Sequence, residues 1–222
     1  MATTADGHAP AQPRPAPSPR VFLLSPARAG GVRIELLSSP RAQFPLARAV
    51  QGAGAELGDV FRFASGLYFR GKLAYAVAFG RPPPGRSAAL VIAPGAGLVP
   101  ASTIVRAADL RAYAAVPVDA ADARFRAPLQ RDAAALAAEL GPGGEVVLLG
   151  SVAADKYVTP LLEVLGERLL FPVDFVGRGD MSRGGLLLRA VQAGAELPYA
   201  PVAGAVRRGV RPPRLPPARR KG

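Results

Sequence analysis

Four short apolar runs, each halted by proline or glycine, constrain the fold more than any other feature of this chain. Val21–Ser25 stops at Pro26, Ala88–Ala93 at Pro94-Gly95, Glu145–Leu149 at Gly150-Ser151 and Leu169–Phe171 at Pro172. Runs this short and this continuous read as strands covered on both faces, because a strand with one wet face alternates. Between and around them lie segments with helical spacing or composition: Val32–Leu37, Phe44–Gln51, Leu57–Ala64, a longer stretch from Ser65-Gly66 to Gly80, Ala107–Tyr113, Asp122–Leu140, Ala153–Leu165 and Met181–Ala193. Pro160 is a candidate break within the seventh of these. Strands separated by helices predict an α/β fold, a mostly parallel sheet of about four or five strands with helices on both faces.

The 222 residues suit one domain with tails. Residues 1–19 are rich in Ala, Pro and Thr and read as a disordered leader. Residues 20–202 form the α/β domain, and everything from Pro198 onward reads as irregular. Residues 203–222 read as a disordered basic tail carrying Arg207, Arg208, Arg211, Arg214, Arg219, Arg220 and Lys221 with no acid. This tail supplies seven of the chain's net +12 charges, enough to bind nucleic acid by neutralising phosphates, or else simply to stay solvated. Residues 1–20 show no apolar signal-peptide core, and no apolar run approaches the roughly 20 residues that span a bilayer, so the chain reads as cytoplasmic with no membrane partner.

Cysteine is absent, which excludes disulfides, thiol nucleophiles and thiolate zinc sites. The only histidine is His8, in the leader, so a Ser–His relay or a His-ligated metal has no core member. No metal site is expected. Any chemistry must rest on carboxylates, Ser, Thr, Tyr, Lys, Arg or backbone amides.

Ligands of open α/β sheets bind outside the carboxyl ends of the strands. Four loops qualify: Ser25–Gly31, Pro94–Pro100, Gly150–Lys156 and Pro172–Gly185. The last belongs to the densest polar stretch, Phe-Val-Gly-Arg-Gly-Asp-Met-Ser-Arg-Gly-Gly-Leu-Leu-Leu-Arg from Phe175 to Arg189. Backbone N–H groups around Gly177 and Gly179, with guanidinium forks from Arg178 and Arg183, can hold an anion. Asp180 or Ser182 can cap the following helix. Gly184 and Gly185 each cost a helix roughly 1 kcal/mol relative to alanine, so either a ligand or another backbone comes close there, or the stretch is a tight turn whose glycines serve helix–sheet packing. No Gly-Lys-Ser/Thr follows, and the sixth position from Gly177 is Ser182, so the stretch matches neither a phosphate loop nor a dinucleotide fingerprint. No cofactor is indicated.

The other loops contribute Ser25 and Arg28, Gly95 and Gly97, and Ser151 with Tyr157 as ligand-binding candidates. Only three lysines stand against 25 arginines, which draws attention to Lys72 and Lys156, because lysine can lose its proton in a buried site where arginine cannot. Asp180 and Lys156 are the two candidate catalytic groups. Leu67-Tyr68-Phe69-Arg70-Gly71-Lys72 interleaves aromatic and basic residues, to stack bases or, equally, to bury Tyr68 and Phe69 on a helix.

Leu23-Leu24-Ser25-Pro26-Ala27 resembles the opening strand and turn of the bacterial peroxide-stress-response DNA-binding proteins. Ser65-Gly66-Leu67-Tyr68-Phe69 through Ala74-Tyr75-Ala76, then Leu90–Pro94 and Gly97-Leu98-Val99-Pro100, resemble a related uncharacterised glycosylase-like domain family found in tRNA-modifying enzymes. Gly150 to Leu162, with Tyr157, is similar to that family's later strand and helix. The chain departs at Ala93-Pro94, where the family has a polar strand end, and in the loop Pro172–Gly185. The resemblance implies an α/β fold associated with nucleic acid or nucleobases. Three functions follow from the sequence: a protein binding nucleic acid or a nucleotide-like anion through phosphate, an enzyme acting on a small phosphorylated or nucleoside substrate, and a scaffold without a ligand.

Overall fold

In the computed structural model residues 18–27, 30–213 and 215 are described. The strands are β1 (Arg20–Leu24), β2 (Ala55–Glu56), β3 (Ala89–Ala93), β4 (Gly97–Pro100), β5 (Ile104–Val105), β6 (Glu145–Leu149), β7 (Leu169–Pro172) and β8 (Tyr199–Pro201). The helices are α1 (Val32–Ser38), α2 (Pro45–Gln51), α3 (Leu57–Ser65), α4 (Leu67–Phe79), α5 (Ala107–Ala114), α6 (Ala123–Leu140), α7 (Asp155–Leu165) and α8 (Asp180–Ala193).

The four apolar runs are the four central strands of one sheet, ordered β4-β3-β1-β6-β7-β8. β3, β1, β6 and β7 run parallel, with Phe22 opposite Ala89 on one side and opposite Val147 on the other. Among the described residues the sheet therefore has six strands, not four or five. The additions are the antiparallel edges β4 and β8, expected as loop and as irregular chain. Edge strands need only one hydrogen-bonded neighbour, tolerate the prolines Pro100 and Pro201, and are half-exposed, so they lack a continuous apolar signature. β2 and β5 form a separate two-residue pair.

Alternation along β1 divides the core. Phe22 and Leu24 face a layer built from α1–α5 and α8. Val21 and Leu23 face α6 and α7. Helices thus cover both faces, as a parallel sheet requires. In the larger layer α4 carries Tyr68, Phe69, Tyr75 and Ala76 inward. Tyr75 meets Phe22 edge-on at 5.6 Å between ring centroids and joins Tyr199 through a 2.6 Å hydroxyl–hydroxyl hydrogen bond.

α4 crosses α8 at a pair of glycines. A Cβ on Gly71 would stand 2.8 Å from the Gly184 carbonyl oxygen, and one on Gly184 would stand 2.8 Å from Tyr68 Cα. Both distances lie inside van der Waals contact, so any side chain there drives the helices apart.

From β1 the chain crosses to β3 on one side, then returns to β6 on the other. The order reverses at β1, and the crevice beyond the ends of β1 and β6 is a topological switch point, the usual ligand position in such sheets. Residues 203–213, expected as a free tail, run back over the domain. Arg207 donates to the Val152 carbonyl and Asp155, Arg208 to the Ala153 carbonyl, and the Pro213 carbonyl accepts from Arg178. Among the described residues no helix is long and apolar enough to cross a membrane.

Candidate functional site at the ends of β1 and β6

Beyond Leu24 the backbone keeps pairing with β6 for one more residue, the Ser25 amide donating to the Leu149 carbonyl at 3.2 Å. Pro26 then forces the chain out of the sheet. On the neighbouring strand Gly150 makes room, since a Cβ there would lie 3.0 Å from Ser25 Cβ. A cleft of about 340 Å³ opens at this point. Ser25, Pro26 and Ala27 form one wall and Ser151 another. Tyr68 and Lys72 enter from α4, Lys156 and Tyr157 from α7, and Asp180 from the first turn of α8. A second hollow of about 640 Å³ shares Pro26, Ala27, Lys156 and Tyr157 and continues to Pro94, Tyr113 and Val116.

Lys72 is the most unusual group in the cleft. Only 1% of its surface is exposed, yet it forms no ion pair among those the structure shows. Its Nζ donates to the Ser25 carbonyl at 2.5 Å and lies 2.9 Å from Ser25 Oγ. The ammonium sits 4.3 Å from the Tyr68 ring centroid and 5.1 Å from that of Phe69. Burial pushes its pKa down to about 7, against an opposing pull from Asp180, with Arg183 adding a smaller push downward. Tyr68 Oη is enclosed and makes no hydrogen bond of normal geometry, although the Arg183 guanidinium is nearby. Burial holds the Tyr68 and Tyr157 hydroxyls well above the ordinary tyrosine range, so both stay protonated donors.

The remaining polar groups are wetter. Lys156 is exposed, with its Nζ 5.2 Å from the centroid of the buried Tyr157 ring. Asp180 is mostly exposed and faces Arg183 at 3.5 Å. Among the described residues no cluster of His, Cys, Asp and Glu could hold a metal ion.

Of the expected ligand and catalytic residues, Ser25, Ser151, Lys156, Tyr157 and Asp180 come together in this cleft. The others are used elsewhere. Gly95 lies in the β3–β4 hairpin turn and Gly97 opens β4, both at positive φ, and Gly97 is obligatory because a Cβ would fall onto Asp132, whose carboxylate accepts from Leu98 N–H at 2.9 Å. Arg183 is buried, and its Nε and an Nη both donate to the Phe175 carbonyl. Arg178 donates to the Asp174 carbonyl and Ser182 Oγ. The expected guanidinium clamp therefore holds the chain itself. Gly177 adopts φ +72° beneath the Val210 carbonyl, Gly179 precedes α8 as its N-cap residue, and Gly184 is the helix crossing. Arg178, Ser182 and Arg211 line a separate hollow of about 410 Å³. Arg28, Arg214, Arg219, Arg220 and Lys221 lie outside the described residues.

Sequence reasoning singled out Lys72 as rare but did not place it at the site. Its signal was a rare lysine on a helix whose one other charged residue is Arg70. No protein-family model, curated protein or solved structure gives a significant match to the chain.

Proposed function

We propose that the protein binds a small phosphate-bearing, nucleotide-like ligand in the cleft beyond β1 and β6. The observation that carries this reading is the convergence, at the switch point of the sheet, of an exposed lysine with two tyrosines and three serines. Lys156 supplies a point charge for phosphate, Tyr157 and Tyr68 supply ring surface, and Ser25 and Ser151 supply hydrogen bonds. The segments Leu23–Ala27 and 65–69, which resemble nucleic-acid-associated families, contribute Ser25, Pro26, Ala27, Ser65 and Tyr68 to its walls and support the same ligand class.

The test is thermal unfolding with nucleoside monophosphates, nucleoside diphosphates and ribose 5-phosphate. At a hundredfold excess over Kd a ligand stabilises by roughly 2.7 kcal/mol. A rise in Tm with one of these compounds, lost in Lys156→Ala, is expected. No rise with any of them at millimolar concentration overturns the reading.

A second reading, association with a nucleic acid, is favoured by the net charge of +12. It expects oligonucleotide binding that weakens steeply with salt and falls when residues 212–222 are removed. Arg207 and Arg208 already hold carbonyls of the loop before α7, so their loss changes the domain as well as the charge.

A further inference from the structure

We infer that Ser25 and Lys72 form a nucleophile–base pair for acyl transfer from esters or other activated carbonyl compounds. The pairing goes beyond ligand binding and does not depend on phosphate recognition. Three observations carry it. Lys72 Nζ donates to Ser25 Oγ at 2.9 Å, and across the same distance the amine, once neutral, is within reach to take the hydroxyl proton. The competing acceptor for that proton, the Leu149 carbonyl, is farther at 3.4 Å. Both groups border a cleft large enough for a small molecule.

Lys72 gives one bond to the Ser25 carbonyl and one to the Ser25 hydroxyl, with no ion pair to a carboxylate. The charged and titratable groups around it are Asp180 and Arg183 of α8, Tyr68 of α4, and Lys156 and Tyr157 of α7, which borders the cleft. Burial leaves much of Lys72 neutral just above neutral pH, as a base requires.

In the first half-reaction the Ser25 hydroxyl proton moves to Lys72 Nζ as Oγ attacks the carbonyl carbon. The bond to the leaving group breaks, and the leaving group departs with the proton from Nζ. In the second, water attacks the acyl-serine while Nζ takes its proton. The carboxylic acid leaves and Oγ regains a proton. The sum is one ester and one water giving one acid and one alcohol.

The full chain is incubated with p-nitrophenyl acetate and, separately, with an alkyl fluorophosphonate, and the modified peptide is mapped by mass spectrometry. The expected result is p-nitrophenolate release and a label on Ser25, both rising through an inflection near pH 7. Ser25→Ala abolishes both. Lys72→Met and Lys72→Arg, one uncharged and one unable to release its proton, each lose on the order of 100-fold. Circular dichroism establishes that each variant is folded. Should neither Lys72 variant fold, the wild-type pH profile decides: a rate without that inflection overturns the pair. No label on Ser25 from either reagent, a label on Lys72 in its place, or equal rates in folded Lys72 variants also overturns it.

Discussion

Two parts of this molecule offer opposite lessons about where chemistry sits. The glycine-rich passage into α8 has glycines, arginines, a serine and an aspartate in close succession, yet its arginines are spent on the chain's own backbone. Arg183 and Arg178 tie down the carbonyls of Phe175 and Asp174, and Gly184 lets α8 touch α4. The turn after β1 reads only Ser-Pro-Ala, yet it borders a cleft and meets a buried amine. A dense polar motif closes on itself when its own backbone offers enough acceptors. A sparse one becomes a site when strand order leaves a crevice above it.

The largest expected effect separates the two directly. Lys72 is protonated in the unfolded chain up to about pH 10.5, but in the folded protein only up to about pH 7. Between those values the unfolded state binds more protons, so this residue's contribution to stability improves as pH rises. Below pH 7 both states hold the proton, and the full cost of burying the charge is present. Lys72→Met removes that cost. Denaturant unfolding should show the variant more stable than wild type at pH 6.5, with the gap closing by at most ~1.4 kcal/mol per pH unit from pH 7 towards pH 10. A gap that does not change with pH breaks the assignment of a buried, proton-losing amine.

Gly184→Ala is the next largest. Its Cβ would stand 2.8 Å from Tyr68 Cα, backbone that cannot step aside alone. Chemical denaturation should register a loss of ~1–3 kcal/mol. Because Tyr68 and Lys72 ride on α4, the same substitution should disturb the cleft. An unchanged midpoint would mean that the glycine pair does not set the crossing.

These two residues also mark how far the sequence could be read. The four central strands were legible because burial on both faces leaves an uninterrupted apolar run, and the helices because their spacing repeats. Pro160 suggested a break, but α7 continues through it. β4 and β8 were hidden because an edge strand has one wet side and carries proline. At the site, the serines after β1 and β6 were legible from strand ends, whereas Lys72 belongs to a helix whose facing depends on packing. The double glycine announced that something comes close. It did not say that the neighbour was Tyr68 and Gly71 of α4, because helix–helix contact is a property of the assembled fold.

A smaller effect is expected at Arg183. The Phe175 carbonyl keeps a hydrogen bond from the Arg178 amide at 3.2 Å when the guanidinium is removed, so Arg183→Met leaves it partly satisfied. The loss should be ~1–2 kcal/mol in urea unfolding, a structural cost with no accompanying loss of nucleotide-induced stabilisation. Loss of the ligand effect at unchanged stability would return the anion site to the α8 passage.

The smallest change sharpens the comparison most. Arg178 is half-exposed and donates to the Asp174 and Pro213 carbonyls and to Ser182, contacts of 3.0–3.4 Å that water can replace. Arg178→Ala should therefore alter stability by less than ~1 kcal/mol. Lys156→Ala should be equally mild, since that side chain is exposed. The pair thus differ in one observable only, the rise in Tm produced by a nucleotide. Lys156→Ala should lose it and Arg178→Ala should keep it, because Lys156 lines the cleft while Arg178 lines a separate hollow beside Arg211. The reverse outcome would place the ligand beside the arginines and leave the cleft to Lys72 and Ser25.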